Sequence, residues 1–176
     1  MTYQRAPLIR GVPNPVLLGP CQELIRYGTG VGQIQGWPAA NRAIYLPFSL
    51  PIDAPVASIG FYCSAASGNY DIGVLAGDGT TLVASKGTTA LVATSINTWT
   101  PTGLTLMAGL RYYAGLVVST GGATFLEFGH AVNTLRATGC AQEALSSTAL
   151  VATATPAQIT SNYFPAIVLT IAGMPT

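Results

Sequence analysis

Residues 67–85, SGNYDIGVLAGDGTTLVAS, decide the fold of this chain. Tyr70, Ile72 and Val74 recur at every second position, which is typical of a strand with one buried face. The Asp-Gly pair within 77–79 is followed by a second apolar run, and this order predicts a β-hairpin because its turn needs a positive φ. The stretch has no cysteine, histidine or lysine. It is therefore a segment built for packing rather than for chemistry.

The same period of two continues on both sides of the hairpin. In AIYLPFSL (43–50) alternate residues are apolar, and in VASIGFYC (56–63) the alternation places Ala57, Ile59, Phe61 and Cys63 on one face, which predicts two half-buried strands. Thr, Val, Ile and Tyr favour further strands. The further strands predicted in this way cover 89–96, 98–106, 110–119, 123–128 and 163–172.

The pattern as a whole predicts an all-β fold. AQEALSS (141–147) is the one segment after residue 40 with the character of a short helix. About eight strands with closely spaced turns are typical of an antiparallel β-sandwich or jelly roll. We therefore predict a β-sandwich domain over 41–176.

Residues 1–40 differ from the rest of the chain. They contain five prolines, which disfavour a continuous helix or a central strand, although CQELIRYG (21–28) is a candidate short helix. We predict an extended N-terminal arm over 1–40. Its apolar residues must contact either the chain's own domain or a neighbouring subunit. These candidate interface residues are Leu8, Ile9, Val16, Leu17, Leu18 and Trp37.

The composition predicts association between copies of the chain. Only 7% of the residues are charged, 49% are hydrophobic and the net charge is +1, so electrostatic repulsion does little to keep copies apart. The segment 110–119 is apolar on both faces, and either the arm or a second copy is expected to cover its outer face. The alternative is a monomer that uncharged polar residues keep soluble.

Several classes of function are disfavoured. Lys86 is the only lysine and the arginines are scattered, so no patch for nucleic acid is predicted. The apolar runs are too short to span a bilayer, and the first residues do not resemble a signal peptide. Cys21, Cys63 and Cys140 form no C-x-x-C pair, which predicts buried, reduced thiols and assembly in a cytoplasm.

Two motifs resemble a domain that recurs in bacteriophage virion proteins. SGNYDIGV (67–74) is similar to the pattern "sGN.DvGiY" of that family, and LTLMAGLRYYAGL (104–116) is similar to "LtaG.YYlAl". The resemblance extends over 41–172 and leaves out the arm. Leu75 and Ala76 stand where the family often has Tyr-Asp, so an acidic ligand site is not implied there.

The resemblance implies a non-enzymatic β-sandwich of the virion, as a capsid decoration, fibre or tail-associated protein. The implied partners are copies of the chain itself and the major capsid protein or other virion proteins, with no nucleic acid and no membrane. By analogy with decoration and fibre proteins, the expected homo-oligomer is a trimer. No cofactor is implied.

Candidate catalytic and metal-binding residues are few. His130 is the only histidine, and Glu127 lies three positions before it, a spacing that puts the two on different faces of a strand. No nucleophile or zinc motif accompanies them, so we predict no catalytic residue. Asp71 and Asp78 supply too few ligands for Ca²⁺, which needs about six or more oxygens. Roles in capping a strand and forming the turn are favoured for them.

Aromatic residues support the alternative function. Trp99 and Tyr62 are candidate sugar-stacking residues, because an exposed ring packs against the C–H face of a sugar. A place in the core or in an interface is nevertheless favoured for these rings, as for Trp37, Tyr45 and Tyr163, because large aromatic side chains are mostly buried. A carbohydrate-binding or receptor-binding module, with a glycan as partner, is therefore the alternative to a virion structural protein.

Overall fold

The computed structural model describes residues 14–17, 33–128 and 131–172. These ranges contain strands and one short helix. The strands are β1 (Asn14–Leu17), β2 (Gln33–Gly36), β3 (Arg42–Ser49), β4 (Ala54–Ala65), β5 (Asn69–Leu75), β6 (Leu82–Ser85), β7 (Thr89–Ala90), β8 (Ser95–Trp99), β9 (Thr105–Leu106), β10 (Arg111–Val118), β11 (Thr124–Glu127), β12 (Ala141–Ala144), β13 (Ala157–Gln158) and β14 (Ile167–Ile171), and the helix is α1 (Val132–Ala137).

The strands form two antiparallel sheets that pack against each other, which confirms the predicted all-β sandwich. Sheet I has the order β1-β14-β4-β11-β2, with β8 and β9 also paired with β4. Sheet II has the order β13-β12-β3-β10-β5-β6, with β7 also paired with β5. The main core lies between the sheets. In it Phe61 of β4 contacts Tyr70 of β5 edge to face, with ring centroids 5.0 Å apart.

The hairpin predicted from 67–85 forms between β5 and β6. Its turn depends on Asp78, whose Oδ1 accepts hydrogen bonds from the backbone N–H of Thr80 and Thr81 at 2.8 and 2.9 Å. Gly79 has a φ of 73°, which favours glycine. At Gly73 a Cβ would lie 2.6 Å from the carbonyl oxygen of Ala84. Glycine is needed there because the neighbouring strand approaches so closely.

The strands predicted between 43 and 63 form as β3 and β4, but β3 is buried on both faces instead of one, and β4 changes phase. The register between β14 and β4 shifts at Thr170 and Ile171. Because such a bulge inserts an extra residue, the side chains before it change face. Val56 is buried, and Ala57, which the sequence placed on the buried face, is half-buried.

The predicted strands over 89–96 and 98–106 are wrong in extent. This region holds the three short strands β7, β8 and β9. The buried side chain of Asn97 accepts a hydrogen bond from the N–H of Val92 and donates one to its carbonyl oxygen, both at 2.9 Å. These two bonds fix a turn before β8, which a pattern of apolar residues does not reveal.

The helix predicted over 141–147 is wrong. Its first four residues form β12, which pairs with β3, and the Tyr45 hydroxyl donates to Glu143 Oε2 at 2.7 Å. Pairing with an existing strand outweighs the helix propensity of this segment. The helix α1, with Leu135 buried, was missed.

Residues 145–154, which we call the strap, cover the outer face of sheet II. Leu150 and Ala154 of the strap pack on Tyr45 and Val117 in a second apolar cluster. The backbone of the strap is fixed to β6, since the N–H of Leu82 donates to the Ala152 carbonyl at 3.1 Å, and to the hairpin turn, since the N–H of Ala154 donates to the Thr80 carbonyl at 2.7 Å. The expectation that the arm or a second copy covers this face of 110–119 is therefore wrong, because the chain covers it with its own strap.

Part of the predicted arm lies within the sandwich. β1 pairs with β14, and β2 pairs with β11. Trp37 is 2% exposed, its ring contacts Phe125 and Tyr163 edge to face at 5.5 and 5.2 Å, and its Nε1 donates to the Arg42 carbonyl at 3.0 Å. Trp37 is thus a core residue of its own chain and not the interface residue that the sequence predicted.

For the other predicted interface residues the structure does not decide between the core and an interface. Val16 and Leu17 belong to β1. Leu8, Ile9 and Leu18 lie outside the described residues, as does the candidate helix over 21–28. Their contacts with a neighbouring subunit stay a prediction.

Candidate interaction surface

The two candidate sugar-stacking residues lie on opposite faces of sheet I. Tyr62 pairs with Ile96, whereas Trp99 pairs with the fully buried Ile59. Trp99 is partly buried against the main core, and Tyr62 points to the outer face of the sheet. Side chains on opposite faces cannot form one platform. The other aromatic candidates, Trp37, Tyr45 and Tyr163, are buried.

Tyr62 belongs to a row of apolar side chains across the outer face of sheet I. It pairs with Ile96 of β8, and Leu126 of β11 pairs with Ile34 of β2. Cys63 pairs with Phe125 and both are buried, so the next residues, Tyr62 and Leu126, both point to the outer face. We call Ile96, Tyr62, Leu126 and Ile34 the outer row. Its two ends are exposed, Ile96 by 67% and Ile34 by 50%.

Charge is distributed unequally between the two sheets. Among the strands of sheet I the only charged residue is Glu127, which is 2% exposed and points away from the outer face. Sheet II carries Arg42, Asp71, Arg111 and Glu143 in its strands. Within the described strands, the outer face of sheet I is therefore uncharged and has exposed apolar side chains. A surface of this kind is typical of a contact with another protein.

The sequence pattern does not reveal the outer row. Ile34 lies in the predicted arm, and Ile96 ends a predicted strand whose extent is wrong. Alternation indicates which residues of one strand share a face, but only the pairing of strands shows that side chains from four strands form one row.

Glu127 is a buried carboxyl group beside the core. Its Oε2 accepts a long hydrogen bond of 3.4 Å from the N–H of Phe164. Burial raises the pKa of this carboxyl group, and the nearby Tyr163 hydroxyl is buried without a hydrogen-bond partner in the described part of the chain. His130 lies outside the described residues, so its separation from Glu127 stays a prediction.

Replacing Glu127 by glutamine is expected to remove part of the pH dependence of stability. The folded-state pKa of Glu127 is raised above its ordinary value of 4.5, so the unfolded chain releases the proton first. The free energy of unfolding of the wild type should therefore fall as the pH rises from the unfolded pKa to the folded pKa, by up to about 1.4 kcal/mol per pH unit. Urea titrations at several pH values measure this, and parallel curves for wild type and Glu127→Gln would contradict it.

The carboxylates of Asp71 and Asp78 are occupied by hydrogen-bond donors. Asp71 is 1% exposed and accepts from the N–H of Gly87 and of Leu150, both at 2.9 Å. The side-chain and backbone hydrogen bonds from Thr81, followed by that from Thr80, lower the pKa of Asp78 to about 2. The residues described include no group of three or more potential metal ligands. The hydrogen bonds of Asp78 agree with its predicted role in the turn. Asp71 lies within β5 and links this strand to the loop after β6 and to the strap, which differs from the predicted role of capping a strand.

Cys63 and Cys140 are free and buried, and Cys21 lies outside the described residues. Burial raises the pKa of both buried thiols, which keeps them in the unreactive thiol form. We expect a chromogenic disulfide reagent to modify at most one thiol per native chain and all three after denaturation without reductant. Rapid modification of two native thiols, or fewer than three after denaturation, would contradict this.

No helix of the described ranges has the length and apolar character to cross a membrane.

Comparison with known proteins assigns no family. No family model matches the chain, and no curated protein is significantly similar to it.

Proposed function

We propose that the chain is a non-enzymatic structural protein of a bacteriophage virion, a capsid decoration or a fibre or tail-associated component that assembles with copies of itself and with the particle. The observation that carries this proposal is the uncharged outer face of sheet I, where Ile96 and Ile34 are exposed. Burying apolar surface in a contact gains about 25 cal/mol per Å². The described strands place no charge on this face that a contact would have to desolvate or pair.

The use of the polar residues supports a structural role. The carboxylate of Asp71 anchors the strap, and that of Asp78 forms the hairpin turn. Glu143 accepts hydrogen bonds from Tyr45 and from Thr155. These groups stabilise the fold, and their hydrogen-bonding capacity is directed to the chain itself. The resemblance of 67–74 and 104–116 to virion domains supports the same proposal.

The alternative of a carbohydrate-binding module has less support. A stacking platform needs exposed rings on one surface. Trp99 packs partly against the core while Tyr62 faces the outer side, so these two rings do not act together.

Co-sedimentation tests the proposed function. The purified chain is mixed with particles of the phage that encodes it, after the bound copies have been removed, and centrifuged through a sucrose cushion. We expect the chain to pellet with the particles and to saturate at a fixed number of copies. The control is the chain alone, which should stay in the supernatant. Failure to bind particles, together with binding to an immobilised glycan, would favour the alternative.

A further inference from the structure

Strand β8 forms an open edge of sheet I. It pairs with β4 from Ser95 to Trp99, and no strand within the described ranges pairs with its other side. Its sequence, SINTW, contains no charged residue and no proline. Edge strands usually carry charged residues or proline as a protection, because their unpaired N–H and C=O groups otherwise recruit another strand. Most of the edge of β8 lacks this protection.

The backbone groups at the open edge belong to Ile96 and Thr98. Lys86 Nζ donates to the Thr98 carbonyl at 2.6 Å, so this carbonyl points away from β4. Residues two apart in a strand point their backbone groups in the same direction, and Ile96 therefore presents its N–H and C=O to the same side. Among the hydrogen bonds of side chains in the described ranges, the Ile96 carbonyl accepts a long one of 3.5 Å from the Ser95 hydroxyl.

We propose that β8 pairs antiparallel with β8 of a second copy about a two-fold axis at Ile96. In this arrangement the two Ile96 residues exchange both of their backbone hydrogen bonds, as opposite residues of an antiparallel pair do. The side chain of Ile96 is 67% exposed and would contact its own copy across the axis. The edge is already ordered for pairing, because Asn97 fixes the preceding turn through its two bonds to Val92.

The distribution of charge favours a second copy as the partner. A two-fold contact places each residue near the axis opposite its own copy, so a charge there would meet the same charge. β8 and the outer row carry none. Lys86 binds at Thr98 of β8, and in the pair this puts the two ammonium groups about 13 Å apart along the strands. This separation exceeds the Debye length of about 8 Å at physiological salt.

The pairing also continues a surface that the chain already has. Ile96 is one end of the outer row, so the two-fold axis joins the outer rows of two copies into one uncharged strip across a continuous sheet. This inference rests on the proposed function in that it names the contact through which the chain assembles with itself. The two-fold pair differs from the trimer that analogy predicts.

Sedimentation equilibrium of the full chain tests the stoichiometry. The chain has a mass of 18.1 kDa, and we expect a reversible equilibrium between this mass and twice this mass. Ile96→Lys places like charges at the axis and should raise the dissociation constant about 100-fold or more. Val83→Lys is the matched control, because Val83 is 45% exposed on sheet II, and it should leave the dissociation constant unchanged.

A cross-linking experiment tests the geometry of the pair. Opposite residues of a hydrogen-bonded antiparallel pair have Cα atoms about 5.5 Å apart, a distance that a disulfide spans. In a Cys21→Ser background, Ile96→Cys should give a covalent dimer under mild oxidation, whereas Ile34→Cys at the other exposed end of the outer row should not. A wild-type trimer, a monomer at all concentrations, or equal cross-linking of the two variants would overturn the proposal. Particle binding by such a chain would leave the proposed function standing.

Discussion

Replacing Asp71 by alanine is expected to lower the free energy of unfolding by about 1–4 kcal/mol, since an unpaired buried N–H costs about 1–3 kcal/mol and the N–H of Gly87 is only partly buried. The Asp71 carboxylate is 1% exposed and accepts from the backbone N–H of Gly87 and of Leu150. Removing it leaves both donors without a partner and releases the strap from β5. Urea denaturation measures the loss, and hydrogen exchange should show that the Leu150 amide loses its protection.

Asp53 provides the matched control for Asp71. It also accepts a backbone hydrogen bond, from Ala108 at 2.6 Å, but it is exposed. Water satisfies the donor when an exposed acceptor is removed, so Asp53→Ala should cost less than about 1 kcal/mol. If Asp71→Ala destabilises the chain no more than Asp53→Ala does, Asp71 does not anchor the strap.

Replacing Trp37 by alanine is expected to cost about 3–5 kcal/mol, the usual loss when a large buried aromatic side chain is removed. The ring is 2% exposed and lies between Phe125 and Tyr163. Trp37→Phe keeps an aromatic ring but loses the bond to the Arg42 carbonyl, and should cost about 1–3 kcal/mol. Thermal and urea denaturation measure both variants.

The Trp37 variants also test whether Trp37 belongs to the core of its own chain or to an interface with a neighbouring subunit. Trp99→Ala is the control, because Trp99 is only partly buried, and it should be less destabilising than Trp37→Ala. If Trp37→Ala left stability unchanged and weakened association instead, Trp37 would be an interface residue as the sequence predicted.

Local sequence patterns were sufficient for the hairpin and for the class of the fold. The alternation of Ile72 and Val74, with the Asp-Gly turn, describes the β5–β6 hairpin without reference to the rest of the chain. The strap was not predictable in this way. Segment 110–119 showed only that something covers its outer face, and sequence periodicity does not identify which distant segment does so.

The segments whose structure differs from the sequence predictions share one physical cause. The first residues of 141–147 form β12 because β3 offers them a free edge, and Trp37 is buried because Phe125 and Tyr163 form a site for its ring. Both depend on residues far away in sequence. The same holds for the outer row, since Tyr62 and Ile96 become neighbours only through the register of β4 and β8.

Quantitative mass spectrometry of purified particles tests the proposed function most directly. Trypsin cleaves after Lys86 and Arg111 and releases residues 87–111 as one peptide, which can be measured against a peptide of the major capsid protein. We expect this peptide in density-gradient-purified particles of the encoding phage, in a fixed ratio to the capsid peptide across the particle peak. A chain that is expressed in infected cells but absent from the particle peak would contradict the account.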